Sequence, residues 1–184
     1  QSIASGQTAP LDDLVARIEA GGAIALPFYA PVLEADAVRR MTTLDGRPVI
    51  DALVNMQITL GAEQRRAELE ALGVPVIQAM SYRRGDAAAW AADAQGVQLN
   101  DVPFYLAQAE YAGIADIQVA SATRAGDEQL EPIAPQAAAV AGKALRLVAL
   151  QRKPEADKRV AIFFWNYPPG EKNLSASFMN LPRS

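Results

Sequence analysis

The sequence predicts an α/β fold: a three-layer arrangement in which a mainly parallel sheet of about five strands carries helices on both faces. Three observations lead there. Short runs rich in Val, Ile and Leu alternate along the chain with longer stretches of helix formers. The connection between two of those runs, residues 49–56 and 74–80, has the length of a βαβ crossover. Strands of this composition suit a sheet buried on both sides. The 184 residues, 51% hydrophobic and 21% charged, suffice for one good core, so a single α/β domain over residues 1–184 is expected.

The first helix is predicted over residues 8–22. Thr8 can cap it, Pro10 sits early, Asp12 and Asp13 load the first turn, and Gly21-Gly22 stops it. Leu11, Leu14, Val15 and Ile18 share one face. Residues 23–29, Ala-Ile-Ala-Leu-Pro-Phe-Tyr, read as a buried strand that Pro27 ends or bends. A second strand is predicted over 49–56, a helix over 61–73 closed by Gly73, and a third strand over 74–80. Residues 84–94 read as an alanine-rich helix anchored by Trp90, and 101–109 as a second short helix capped by Asn100 or Asp101. A fourth strand over 115–121 and a polar loop over 122–131 precede the longest helix, 135–153. Its Val140, Ala144, Leu147 and Val148 share a face, and Pro154 stops it. A charged connector, 153–158, leads to a fifth strand over 159–165.

The formal charge is -4, whereas binding a phosphate backbone needs concentrated positive surface; nucleic acid is not an expected partner. Cysteine and histidine are both absent. Disulfides, thiolate metal sites, thiol nucleophiles and imidazole acid–base pairs are thereby excluded, and no resident metal is expected. Any chemistry must run on carboxylates, amines, hydroxyls or backbone groups. Apolar runs fall far short of the roughly 18 to 20 residues that span a bilayer. No basic region followed by an apolar stretch opens the sequence, so no signal peptide is predicted and the expected location is cytoplasmic. No Walker or dinucleotide glycine pattern occurs, which leaves no expected ATP site in this chain. The arginine pairs Arg39-Arg40, Arg65-Arg66 and Arg83-Arg84 read as solvated faces; contact with an anionic ligand is the second reading.

The last stretch carries the most specific signal. Residues 160–165, Val-Ala-Ile-Phe-Phe-Trp, run into Asn166-Tyr-Pro-Pro-Gly-Glu-Lys-Asn-Leu-Ser-Ala-Ser-Phe-Met-Asn-Leu-Pro-Arg-Ser184. In open α/β sheets ligands collect where strands end at their carboxyl termini. Asn166, Tyr167, Glu171, Lys172, Asn173, Ser175 and Ser177 form a dense donor and acceptor set there, stiffened by Pro168 and Pro169. A turn followed by a solvated loop is the alternative reading of the same residues. Ser175 and Ser177 also suit a helix cap. The segment stops before the helix it introduces and the first residue is Gln1, so the chain is expected to be a piece of a longer polypeptide with its 166–184 motif truncated.

This tail resembles the large subunit of the cobalt chelatase of aerobic cobalamin biosynthesis, in a family that includes the large, porphyrin-binding subunit of magnesium chelatase. Two further stretches are similar and in the same order: Leu72-Gly-Val-Pro-Val-Ile-Gln-Ala-Met80, and Asp101-Val followed by Ala109-Glu110-Tyr-Ala-Gly113-Ile-Ala-Asp116. The departures are Ala109 where the family has proline, Ala112 where it has an acid, Ile117 in place of proline, and Trp165 where histidine is common. They favour the cobalt branch or a divergent relative over the magnesium enzyme.

The resemblance implies a parent enzyme that binds a tetrapyrrole, a corrin precursor like hydrogenobyrinic acid a,c-diamide, and inserts Co2+ as a substrate. It places ATP and Mg2+ at separate ATP-hydrolysing subunits, with no cofactor on this chain, which alone is expected to be inactive. Insertion removes two pyrrolic protons while a hydrated cation sheds water, work that suits a positioned carboxylate. Glu110 is the candidate for that role. Asn166, Tyr167, Glu171, Lys172 and Asn173 are the candidates for substrate binding. A non-catalytic α/β module for small-molecule binding or subunit docking is the alternative from another class.

Overall fold

Helix α1 (Ala9–Ala20) opens the fold of the computed structural model, which describes residues 6–34, 36–114 and 116–161. The chain divides into two compact units, Gln1–Arg152 and Lys153–Ser184. The boundary falls at the charged connector. In the first unit, α1 starts with Thr8 at its N-cap. The Thr8 carbonyl accepts the Asp12 N–H at 2.9 Å, but its hydroxyl makes no capping bond. Arg17 pairs with Asp13 one turn earlier, at 2.6 Å.

After α1 the chain runs through residues 23–31 without regular structure and without forming a ladder. Helix α2 (Ala37–Thr42) follows, then the two-residue strands β1 (Thr43–Leu44) and β2 (Arg47–Pro48), paired antiparallel. Asp45 and Gly46 between them have φ of 50° and 75°. Two left-handed residues in sequence make the turn whose twist matches a hairpin, and Asp-Gly is its commonest chemistry.

The main sheet contains β3 (Leu53–Asn55), β4 (Val76–Tyr82), β5 (Asp116–Thr123) and β6 (Leu130–Pro132), in that spatial order. β3, β4 and β5 are parallel; β6 returns antiparallel along the carboxyl end of β5. Helix α3 (Ala62–Leu72) joins β3 to β4. Gly73 ends it in the left-handed conformation at φ 63°, its N–H returning to the Leu69 carbonyl, a position where a side chain would be strained. Between β4 and β5 lie α4 (Ala87–Ala92), a π-helical turn over Val102–Ala107 and the short α5 (Gln108–Tyr111). Helix α6 (Ala134–Arg152) closes the unit.

Two helical layers enclose the sheet. On one face Ile77, Ala79 and Ala120 meet Leu14 of α1 and Val140, Ala141 and Ala144 of α6. On the other, Leu53 meets Leu69 and Leu72 of α3 and Ala109 of α5. Further along that face Met80, Tyr82, Val119 and Ala122 pack with Trp90 and Tyr105. Each fully buried Ile or Val contributes about 1.5–3 kcal/mol relative to exposure. A bulge between Met80 and Ser81 admits one extra residue on β5. Ser121 is thereby aligned with Ser81, and their hydroxyls meet at 2.7 Å.

The α/β class, the parallel crossover and the long last helix agree with expectation. Two strands differ. Residues 23–29 were expected as a buried strand, yet Ile24 is 95% exposed and the stretch has no ladder partner among the described residues. Its backbone is separated by a cleft from β3, the strand that could receive it. The loop predicted over 122–131 instead holds the start of β6, so the sheet is only partly parallel. In the second unit residues 159–161 have no regular structure, and the rest of the predicted fifth strand lies outside the described residues. What is described there is one 3-10 turn, Glu155–Asp157, with Lys158 paired to Glu155 at 2.7 Å.

Candidate functional site

Three parallel strands end at the same edge, and the loops that follow them carry amides, carboxylates, phenols and guanidinium groups. The loop after β3 is locked by amides. Gln78, fully buried in the middle of β4, donates from Nε2 to the carbonyls of Asn55 at 3.1 Å and Gln57 at 2.9 Å. Its Oε1 accepts Asn55 Nδ2 at 2.8 Å and the Thr59 hydroxyl at 3.3 Å. Asn55 Oδ1 in turn accepts the Gln57 N–H at 3.2 Å, and the Thr59 N–H donates to the Phe104 carbonyl at 3.1 Å. Both side-chain amides are thus satisfied inside the protein, which makes the loop a rigid clasp.

The loop after β4 holds the charges. Tyr82 is buried, and its hydroxyl donates to Asp93 Oδ2 at 2.8 Å; the Gln95 N–H reaches Asp93 Oδ1 at 2.9 Å. The hydrogen bond to Asp93 first, and then burial, raises the Tyr82 phenol above its ordinary value. The same bond, followed by the Gln95 N–H, lowers the Asp93 carboxyl. Arg84 reaches Asp93 at 3.9 Å while remaining more than half exposed. Arg83 is exposed beside Tyr105, whose phenol is raised chiefly by burial, with Arg83 opposing. Gly85 is tied to the end of β5, its carbonyl accepting the Thr123 hydroxyl at 2.7 Å and the Thr123 N–H at 3.1 Å. Asp86 caps α4 by accepting the Ala89 N–H at 2.8 Å.

Arg83 and Arg84 therefore stand as solvent-facing cations on a braced backbone, with a carboxylate and two phenols beside them. Exposed guanidinium groups are the donors that form charge-assisted hydrogen bonds with anions. The surface has no metal cage: among the described residues no three Asp or Glu side chains converge.

Glu110 lies elsewhere. It is exposed on α5, which leads into the start of β5, so it sits at the amino edge of the sheet, opposite Arg83 and Arg84. Among the described residues its carboxylate forms no ion pair or hydrogen bond. Asn166, Tyr167, Glu171, Lys172 and Asn173 lie outside the described residues.

Gln78, Asn55, Tyr82 and Asp93 escaped the sequence reading. A polar residue interrupting the apolar run Val-Ile-Gln-Ala-Met marks Gln78 as a buried amide. The pairing of Tyr82 with Asp93 needs the fold.

The family model for CobN/Magnesium Chelatase matches residues 1–184. The chain belongs to the CobN/magnesium chelatase family. It is similar to the aerobic cobaltochelatase subunit CobN of a Sinorhizobium species, with 26% identity over 186 residues covering 94% of this chain and 14% of that protein. It is also 26% identical over 192 residues to an uncharacterised protein of Methanocaldococcus jannaschii, covering 91% of this chain and 16% of the relative. Among solved structures, the catalytic subunit of cobaltochelatase from Mycobacterium tuberculosis superposes with a TM-score of 0.72 at 25% identity, covering 88% of this chain and 15% of that one. The chain thus spans about one sixth of the length of these relatives.

Proposed function

We propose that this CobN/magnesium chelatase family chain is part of a large subunit that binds a tetrapyrrole, a corrin precursor, and inserts cobalt into it in the cytoplasm during cobalamin biosynthesis. The observation that carries the reading is the superposition on a cobaltochelatase catalytic subunit at a TM-score of 0.72 over 88% of the chain. Arg83 and Arg84 hold the acidic or amide rim of the macrocycle at the carboxyl edge, and the Asn55–Gln78 clasp keeps the neighbouring loop in shape.

Glu110, at the opposite edge of the sheet from Arg83 and Arg84, serves as the carboxylate that receives and steadies the aqua-cation, while groups from the rest of the enzyme take up the pyrrolic protons of a ring held at the carboxyl edge. The tail residues Asn166, Tyr167, Glu171, Lys172 and Asn173 contribute substrate contacts. Co2+ is a substrate, while ATP and Mg2+ act at partner subunits.

Cobalt insertion by the full-length polypeptide with its ATP-hydrolysing partners tests the reading. Glu110→Gln is expected to slow insertion about 10-fold at limiting Co2+, the loss of one charged contact worth about 1.5 kcal/mol. Unchanged insertion would remove Glu110 from the reaction. A second reading, a non-catalytic docking module, draws on the exposure of Leu33 and Leu44, 82% and 66%. It predicts that full-length protein without these side chains keeps its tetrapyrrole affinity and loses a subunit.

A further inference from the structure

The outer edge of β3 faces an apolar cleft of about 990 Å³. The near wall is β3 itself, an end strand whose ladder runs only to β4, leaving the backbone groups on its other side without a strand partner among the described residues. The far wall is the stretch 23–30, which has no regular structure and likewise joins no ladder. Leu11, Leu14 and Val15 of α1 and Leu145 and Val148 of α6 also line the cleft. The open edge of β3 and a stretch of chain that joins no ladder therefore confront each other across an apolar gap. Open edges of this kind are templates for another strand.

The direction of the walls is fixed by their ends. Arg152, at the end of α6, pairs with Asp51 just before β3, at 2.7 Å. Gly21, where the far wall begins, lies against Leu145 in the same half of α6. At the other end, the Val32 carbonyl accepts Arg65 Nη2 at 3.2 Å from the first turn of α3, which follows β3. Residues 23–32 thus run from the amino to the carboxyl edge, parallel to β3. Helix α1 runs back, so its first turn lies at the carboxyl edge, where Gln7 and Pro10 line the cleft. A helix in such a sheet connects parallel strands, and the connection is right-handed in almost every case.

We propose that the cleft is a slot for one extended, apolar β-strand, supplied by polypeptide N-terminal to α1, which runs parallel to β3 and pairs with it on one edge and with residues 23–30 on the other. The strand, α1 and residues 23–30 then form a second βαβ unit, and the sheet becomes continuous from 23–30 to β6. Both walls gain the partners they lack, and Ile24 and Leu26, exposed without it, enter a sheet interior. The curated relatives are several times longer than this chain, so polypeptide to supply the strand is available in such proteins. The inference rests on the geometry of the gap and is independent of the chelatase reading.

Hydrogen exchange tests it without substitution. In the full-length polypeptide the amides of Ile24, Leu26 and Phe28, which alternate with Pro27, and of Val54, which points away from β4, are expected to exchange at least about 100-fold more slowly than in the 184-residue chain, while the amides of β4 and β5 exchange alike in both. Fast exchange in the full-length protein, or equal protection in both, would overturn the proposal. A second measurement distinguishes an intervening strand from direct closure of the gap. One strand between them sets Ala25 and Val54 about 9.5 Å apart, two strand spacings. That exceeds the limit of about 7 Å for a disulfide. The chain has no cysteine of its own. An Ala25→Cys, Val54→Cys pair, placed in a full-length background otherwise free of cysteine, is expected to resist disulfide formation under oxidation. Rapid formation would show that residues 23–30 close directly on β3 and would refute the slot.

Discussion

The side-chain amide of Asn55 donates to Oε1 of Gln78 at 2.8 Å, joining the carboxyl end of one parallel strand to the middle of the next. Because Gln78 also holds the Asn55 and Gln57 carbonyls, this one side chain fixes the path of the chain as it leaves β3.

Replacing Gln78 by Leu removes two donors and an acceptor while filling similar volume. The Asn55 carbonyl loses its side-chain donor and the Thr59 hydroxyl its acceptor, while Asn55 Nδ2 and the Gln57 carbonyl keep their own bond at 3.1 Å; each lost partner costs about 1–3 kcal/mol where water cannot replace it. The expected outcome is a loss of about 2–4 kcal/mol in denaturant unfolding, with Gln78→Glu also destabilising because it replaces the amide donor by an acceptor. Wild-type stability in the Leu variant would show that the clasp is not formed.

The Tyr82–Asp93 hydrogen bond predicts a pH window. The carboxyl is lowered in the fold, so its contribution is present above the ordinary value of about 4 and is lost as pH falls through the lower folded value. The phenol is raised, so its contribution is present below about pH 10 and is lost as pH rises through the folded value. The stability difference between wild type and Tyr82→Phe should therefore be flat across neutral pH and shrink at both extremes. Thermal unfolding from pH 3 to 11 measures it; a difference that does not change with pH would contradict the bond.

Glu68 is buried in α3 and binds two elements at once: it pairs with Arg65 and accepts the Arg39 N–H at 2.7 Å at the start of α2. Glu68→Ala leaves the nearly buried Arg65 guanidinium without its partner and the α2 N–H unpaired. A loss of about 3–5 kcal/mol is expected. Urea unfolding checks it, and a change under 1 kcal/mol would place the pair in the weak class of surface ion pairs, roughly 0–1 kcal/mol.

The fold was legible where periodicity and punctuation agree. Leu11, Leu14, Val15 and Ile18 mark α1, and Gly73 ends α3, because local rules and the tertiary arrangement demand the same thing there. The stretch 23–29 reads as a strand from its apolar residues, but a strand exists only with a neighbour, and none flanks it among the described residues. β6 was missed because Leu-Glu-Pro is too short to show alternation; its pairing comes from the turn after β5. The Asp45-Gly46 hairpin was readable from its turn chemistry and was passed over. The site was less legible. Arg83-Arg84 was visible as a basic pair, whereas Asp93 reaches Tyr82 only through the path of α4, which sequence spacing does not reveal.

The central claim, that the full-length protein holds a tetrapyrrole at the carboxyl edge of this sheet, is tested most directly by titrating it with hydrogenobyrinic acid a,c-diamide and following the ring's absorbance. The expected result is saturable binding that weakens about 10- to 100-fold in Arg83→Ala, Arg84→Ala, the loss of one or two charge-assisted hydrogen bonds. Absence of binding to this ring and to protoporphyrin by the wild type, or equal affinity in the double variant, would contradict it.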